Sequence, residues 1–259
     1  MRATQEVKNA NVKYAFIGRR LRQHVRNRNA VHIAADAFDV ICGISVQLTF
    51  KKNAKKVSSS GLTGAEAARK ILDGAGLSST LIAPCAGSLT DHYDPRNDTV
   101  YLSESVYNSN SVAAIGVAAH EVGHAIQHAE DYAFIKLRTA LVPITNFTSR
   151  YSTILIMIGL LVTCFPTVET FGSVIFAIGI LFYACYTLFT LVTLPVEFNA
   201  SHRALRIIED TGIAAGDEIS SVRKVLSAAA STYLMSFAMS FVTLLRFIAI
   251  FGSSKSRRK

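Results

Sequence analysis

The chain has 259 residues, half of them hydrophobic, with a formal net charge of +9 and a mean hydropathy of +0.32. A basic balance suits a nucleic-acid binder or a membrane protein with basic flanks against anionic lipid; the apolar residues gather in runs too long for a globular core, which excludes the first reading and a wholly soluble protein. Cys42, Cys85, Cys164 and Cys185 include no CxxC pair, so a disulfide framework or a cysteine zinc site is excluded and each cysteine reads as a small buried hydrophobe.

Residues 1–50 are read as an N-terminal basic segment, disordered or interfacial. Arg19, Arg20, Arg22, Arg26 and Arg28 stand against a lone Glu6, and no apolar stretch follows them as in a secretory signal. The apolar piece 38–50 falls short of the roughly 20 residues a spanning helix needs. A catalytic module is expected over 51–150. It opens on a helix that Thr63 and Glu66 cap reciprocally and that stops near Gly74 and Gly76. Two strands, Ser88–Tyr93 and Thr99–Ser103, are expected to form a hairpin around the turn cluster Asp94-Pro95-Arg96-Asn97-Asp98. A second helix then runs from about Ser111 to Glu130, with an uncharged part too short to cross a bilayer.

Three spans are expected next: Tyr151–Val168, Thr170–Leu194 and Val225–Leu245, the last followed by Arg246 where it can snorkel to the interface. Only Glu169 separates the first two, so they must form a hairpin. The chain before Tyr151 and the chain after Leu194 then emerge on one side. This divides the remainder into a transmembrane hairpin (151–194), a second part of the catalytic module (195–224), a transmembrane helix (225–251) and a basic tail (252–259). The expected fold class is a mainly α integral membrane protein with about three transmembrane helices. An HExxH helix and a small β-hairpin sit in its membrane-attached, zincin-like module.

The chemistry lies in His120-Glu121-Val122-Gly123-His124, an HExxH motif on the second helix. Four helical residues advance about 400°, so both imidazoles share one face one turn apart, as needed to grip a single zinc ion. Glu121 then stands where it can take a proton from water at the metal. An exposed helix face would carry the same letters, but the Ala, Val, Gly and Ile flanks make burial of these groups costly without a metal. A catalytic zinc takes three protein ligands. His128, one more turn along the same helix, is awkward as the third and reads as a neighbour of the site or as surface. Glu197, on the module's side of the membrane, is the other candidate.

Several stretches, in order, resemble the YugP-type membrane zinc metallopeptidases. They are Gly61–Glu66, Leu89–Arg96, Ala118–His128, Leu137–Pro143 and Leu194–Ser201, and the similarity runs from about Phe50 to Leu245. The resemblance implies a gluzincin-like site with one Zn2+ held by His120, His124 and Glu197, and Glu121 as the catalytic base. Glu197-x-x-Ala200-Ser201 also resembles a Glu-x-x-Ala-Asp signature of HtpX-like membrane proteases. There the final Asp orients a zinc histidine; Ser201 stands in its place here and can hydrogen-bond an imidazole without charge. The resemblance further suggests that strand 88–93 pairs with an extended substrate and that His92 helps stabilise the oxyanion. Relatives begin with a transmembrane helix that residues 1–45 do not offer, so either the anchor is lacking or the start is misassigned.

The function expected is hydrolysis of peptide bonds in membrane or membrane-adjacent proteins, with a lipid bilayer and a polypeptide substrate as partners and no nucleic acid. The alternative is a catalytically silent zinc-binding membrane scaffold, which has no use for an acid between two ligands. The location expected is the cell membrane, multi-pass. Lys136, Arg138, Arg150, Arg203, Arg206, Arg223 and Lys224 on the catalytic side favour a cytoplasmic module, against Lys255, Arg257, Arg258 and Lys259 beyond the third run.

Overall fold

The computed structural model of the chain describes residues 44–256. The expectations for residues 1–43 and for the end of the basic tail, 257–259, lie outside the described residues. The first described element is a helix over 44–53, α1, which takes up part of the stretch read as interfacial. Helix α2, Gly64–Gly74, forms where Thr63 and Glu66 cap it: the Thr63 hydroxyl accepts from the Glu66 N–H and the Glu66 carboxylate accepts from the Thr63 N–H. Its apolar residues Ala67, Ala68, Ile71 and Leu72 are buried.

The expected hairpin is part of a larger sheet. Strands β1 (Leu81–Cys85), β2 (His92–Asp94) and β3 (Thr99–Ser103) lie in the order β1-β3-β2, with β1 parallel and β2 antiparallel to β3. Pro84 obscures β1 in the sequence, yet on an edge strand its missing N–H costs no ladder bond. The second strand is shorter than the 88–93 expected. Gly87 and Leu89 have φ of 104° and 57°, which no strand accommodates. Asp91 then replaces a ladder bond by accepting from the Ser103 N–H at 2.7 Å and from its hydroxyl at 3.0 Å.

After the short α3 (Glu104–Tyr107) comes α4, Val112–Ala129, whose N-cap Ser111 accepts from the Ala114 N–H at 3.2 Å. Small residues let its neighbours approach closely. A Cβ on Gly116 would stand 3.0 Å from Val222 Cγ1, and one on Gly123 would stand 2.9 Å from the Ala200 carbonyl oxygen. Val112, Ile115, Ala118, Ala119 and Val122 form the centre of the core with α2 and β3.

The long helices depart from the expected segmentation. Helix α5 runs from Ala133 to Val162 without a break at 150; a 3-10 turn, Pro166–Val168, leads into α6, Glu169–Asp210, and α7 covers Asp217–Ser256. The boundaries read at 150/151, 194/195 and 224/225 therefore all fall inside continuous helices. Backbone hydrogen bonding is indifferent to where side chains turn from apolar to polar. Two helices, Pro166–Asp210 and Asp217–Gly252, are long and apolar enough to cross a membrane. Helix α5 is not among them: its uncharged part starts after Arg150 and the helix ends at Val162, short of a span. Length and hydropathy thus support two of the three expected spans. Their apolar side chains are open rather than packed, with Phe171 65% and Leu181 63% exposed, as lipid-facing residues are and core residues are not.

Helices α5 and α6 lie antiparallel with backbones almost touching. A Cβ on Gly159 would fall 2.5 Å from the Phe176 nitrogen, and one on Gly179 would fall 2.7 Å from the Ile156 nitrogen. The same register continues along the pair to Arg138 and Glu197, which meet at 3.3 Å. Gly159→Ala should therefore force the hairpin apart, at about 1–3 kcal/mol. A lowered unfolding midpoint in detergent checks this, with Gly74→Ala, which meets nothing within 4 Å, as the unaffected control.

Candidate metal centre

Helix α4 supplies His120, Glu121 and His124, and α6 crosses it at Gly123 and Ala200 so that Glu197 enters from the opposite side. Glu197 Oε2 lies 3.3 Å from His120 Nε2 and 3.5 Å from His124 Nε2. Ligand atoms bonded to zinc at about 2.0–2.2 Å in a tetrahedron stand about 3.3–3.5 Å apart. Glu197 is only 2% exposed, and its Oε2 has no hydrogen-bond partner. A buried carboxylate oxygen left unpaired is costly, and a cation between it and the two imidazoles removes that cost. The three residues therefore fit a metal ion, and they form a compact potential ligand set with all ligand atoms within 4.8 Å. Two imidazoles and one carboxylate are a donor set that zinc accepts with a fourth position open.

Each of these three side chains has a further partner. The Ser201 hydroxyl is 3.3 Å from His120 Nδ1, the Gln127 amide oxygen is 3.0 Å from His124 Nδ1, and Arg138 Nη1 is 3.3 Å from Glu197 Oε1. Tyr233, from α7, lies beside Glu197 and within electrostatic range of Glu121 and Arg138. It continues the inward stripe of α7 formed by Val222, Leu226 and Ala230.

Glu121 is buried beside the pair. Burial pushes its carboxyl up to about 7; His120 and the nearby Tyr93 backbone N–H oppose the rise, while Glu197 and Asp91 add to it. A dication at the adjacent set would also favour the ionised form. Tyr93 lies in the middle of β2, so that edge strand of the sheet runs near the acid.

The other residues singled out from sequence lie around this centre. The His128 ring is 5.4 Å from that of Tyr93, and burial, with His124 and Arg138 nearby, lowers its pKa. His92 is exposed; its ring stacks on Tyr101 at 4.9 Å and its Nδ1 donates to the Thr90 carbonyl at 2.8 Å, so its partners belong to the sheet rather than to the cluster. Sequence reasoning missed Gln127, Arg138 and Tyr233. The first two lie within the stretches that carry the resemblance, and Gln127 is one turn beyond His124, where a partner is expected. Tyr233 carried no signal, being an aromatic in an apolar run.

A family model described as "Putative neutral zinc metallopeptidase" matches residues 30–252. The chain belongs to this family. It is also 44% identical over 220 residues to a protein of Bacillus subtilis (strain 168) described as "Putative membrane protease YugP", covering 85% of this chain and 94% of that one. No solved structure matches the chain. Membership of a zinc metallopeptidase family implies zinc as the cofactor, and with the two apolar helices the likeness supports association with a membrane.

Gly123→Ala should weaken this centre without touching a ligand. Its new methyl would meet the Ala200 carbonyl at 2.9 Å and push α6 away from α4. An overpacking cost of about 1–3 kcal/mol, if borne by the metal-bound arrangement, corresponds to a loss of zinc affinity of about 5- to 150-fold. Metal analysis of purified protein equilibrated with buffered zinc checks it.

Proposed function

We propose that the chain is a membrane-bound zinc metallopeptidase that hydrolyses peptide bonds of membrane or membrane-adjacent polypeptides. The observation that carries this reading is the unpartnered, buried Glu197 Oε2 facing two imidazole nitrogens, with a buried acid, Glu121, beside them. His120, His124 and Glu197 would hold the ion. Zinc there supplies Lewis acidity, which lowers the pKa of water and polarises the scissile carbonyl.

The chain's own residues do the rest. Glu121 takes the proton of the attacking water as its oxygen bonds to the carbonyl carbon. It then delivers that proton to the amine nitrogen as the carbon–nitrogen bond breaks. The Tyr233 hydroxyl donates to the carbonyl oxygen as negative charge gathers there, the role first expected of His92. An extended substrate pairs with the outer edge of β2, the strand whose Tyr93 N–H lies near Glu121. Ser201 and Gln127 orient the two histidines from behind.

Several exposed apolar side chains support a substrate near the bilayer. Phe198 follows Glu197 directly and Leu137 precedes Arg138, and both are open at the level of the site. The α5–α6 hairpin and α7 form a multi-pass anchor in the cell membrane, with the catalytic module on the cytoplasmic face. A basic flank on that side supports the orientation.

Wild type and Glu121→Gln, purified in detergent, should each bind about one zinc, and the variant should hydrolyse peptides about 10²–10⁴-fold more slowly. Zinc bound by both with no hydrolysis of any membrane-tethered or soluble peptide would favour the silent scaffold; no zinc in the wild type would remove the site altogether. Tyr233→Phe should lower kcat about 10²-fold with KM and zinc content little changed. Steady-state kinetics on the same peptide decide this, and an unchanged kcat removes Tyr233 from the reaction.

A further inference from the structure

Gln127 is fully buried, yet it is a polar residue in the middle of an apolar core and every hydrogen-bonding atom it has is used. Its amide nitrogen lies 2.9 Å from the Val196 carbonyl and 2.9 Å from Asn199 Oδ1, and its amide oxygen lies 3.0 Å from His124 Nδ1. The orientation of such an amide is set by what it faces. Arginine can only donate, and Arg203 Nε lies 2.8 Å from the same Asn199 atom, which must therefore be the oxygen. A carbonyl can only accept. Facing two acceptors, the Gln127 atom on that side must be the NH2, which turns its oxygen towards His124. An oxygen there accepts, so His124 carries its proton on Nδ1, and the lone pair of Nε2 points towards Glu197.

We infer that Gln127 is the positioning residue that fixes the tautomer and ring orientation of His124, and that the order Arg203, Asn199, Gln127, His124 transmits this choice from a surface ion pair to the metal centre. This rests on the reading of His120, His124 and Glu197 as a zinc site. The outer end is the Arg203–Glu130 pair, 2.7 Å long, at the C-terminal cap of α4. Val196 is the residue before Glu197, so the same amide also ties α4 to the turn of α6 that carries the carboxylate. His120 is held differently. Its partner, the Ser201 hydroxyl, can donate or accept, so that contact dictates no tautomer.

The test separates the histidine contact from the helix tie. Gln127→Met keeps the shape and removes all three hydrogen bonds; Gln127→Glu keeps an acceptor for His124 and loses the donors to α6. Zinc affinity is measured on full-length protein in detergent by competition with a chelator, alongside the unfolding midpoint of the metal-free protein and the visible spectrum of the cobalt(II) form. Gln127→Met should bind zinc about 10–100-fold more weakly, as loss of an outer partner of a metal histidine does. Gln127→Glu should recover most of that loss and restore a wild-type cobalt spectrum. Asn199→Ala, which leaves only the Val196 carbonyl to hold the amide's orientation, should fall between wild type and Gln127→Met and serves if either Gln127 variant does not fold. Zinc binding by Gln127→Met equal to wild type overturns the inference, as does Gln127→Glu binding as weakly as Gln127→Met, which would leave only the helix tie. Failure of the wild type to bind zinc instead overturns the site itself.

Discussion

The structure is organised around a carboxylate that has no access to water. Glu197 sits in the middle of α6, and an isolated buried charge of that kind costs several kcal/mol unless other groups compensate. Three helices meet that demand. Helix α4 turns two imidazole nitrogens towards Oε2, α5 brings Arg138 to Oε1, and α7 brings Tyr233 alongside. The remaining imbalance is the unpartnered Oε2, and a cation corrects it. The groups that would bind the metal therefore also lie where these helices meet.

Close packing makes this convergence possible. Glycine at position 123 lets the backbone of α6 reach α4 at Ala200, one turn beyond Glu197. Glycines at 159, 172 and 179 do the same for the α5–α6 pair further down. An antiparallel helix pair with a fixed register behaves as one rigid unit, so the contact at Gly159 and Phe176 and the contact at Arg138 and Glu197 belong to the same alignment.

Membrane attachment and site are built from the same helices. Helix α6 is 42 residues long, about 63 Å at the helical rise, and carries an apolar stretch and the Glu197–Ser201 segment without interruption. No linker separates the two, so the height of the centre relative to the apolar belt is set by helix length alone. The sheet is attached through the core, where Val100 and Leu102 of β3 pack with α4, and its edge strand β2 is pinned by Asp91 on Ser103. A centre fixed on packed helices with an edge strand nearby suits an arrangement in which the metal stays fixed and an extended chain pairs beside it.

Much of this is written in short-range pattern. The capping of α2 by Thr63 and Glu66, the limits of α4 at Ser111 and Glu130, and the one-turn spacing of His120 and His124 all depend on residues within four positions of each other, so the sequence by itself determined them. Apolar runs likewise announced helices suited to a bilayer. Their limits were less legible: polarity changes at 150, 194 and 224, but helical hydrogen bonds do not, and α5, α6 and α7 continue through. Strand β1 was hidden by Pro84, because an edge position is a property of the sheet and not of the strand. Glu197 could be named from family resemblance but not from its neighbours. That it meets the histidines at ligand spacing, that Arg138 and Tyr233 reach Glu197 and that Gln127 bonds His124 was decided only by the tertiary structure. Contacts between distant helices depend on where backbones approach closely enough, and no local periodicity encodes that.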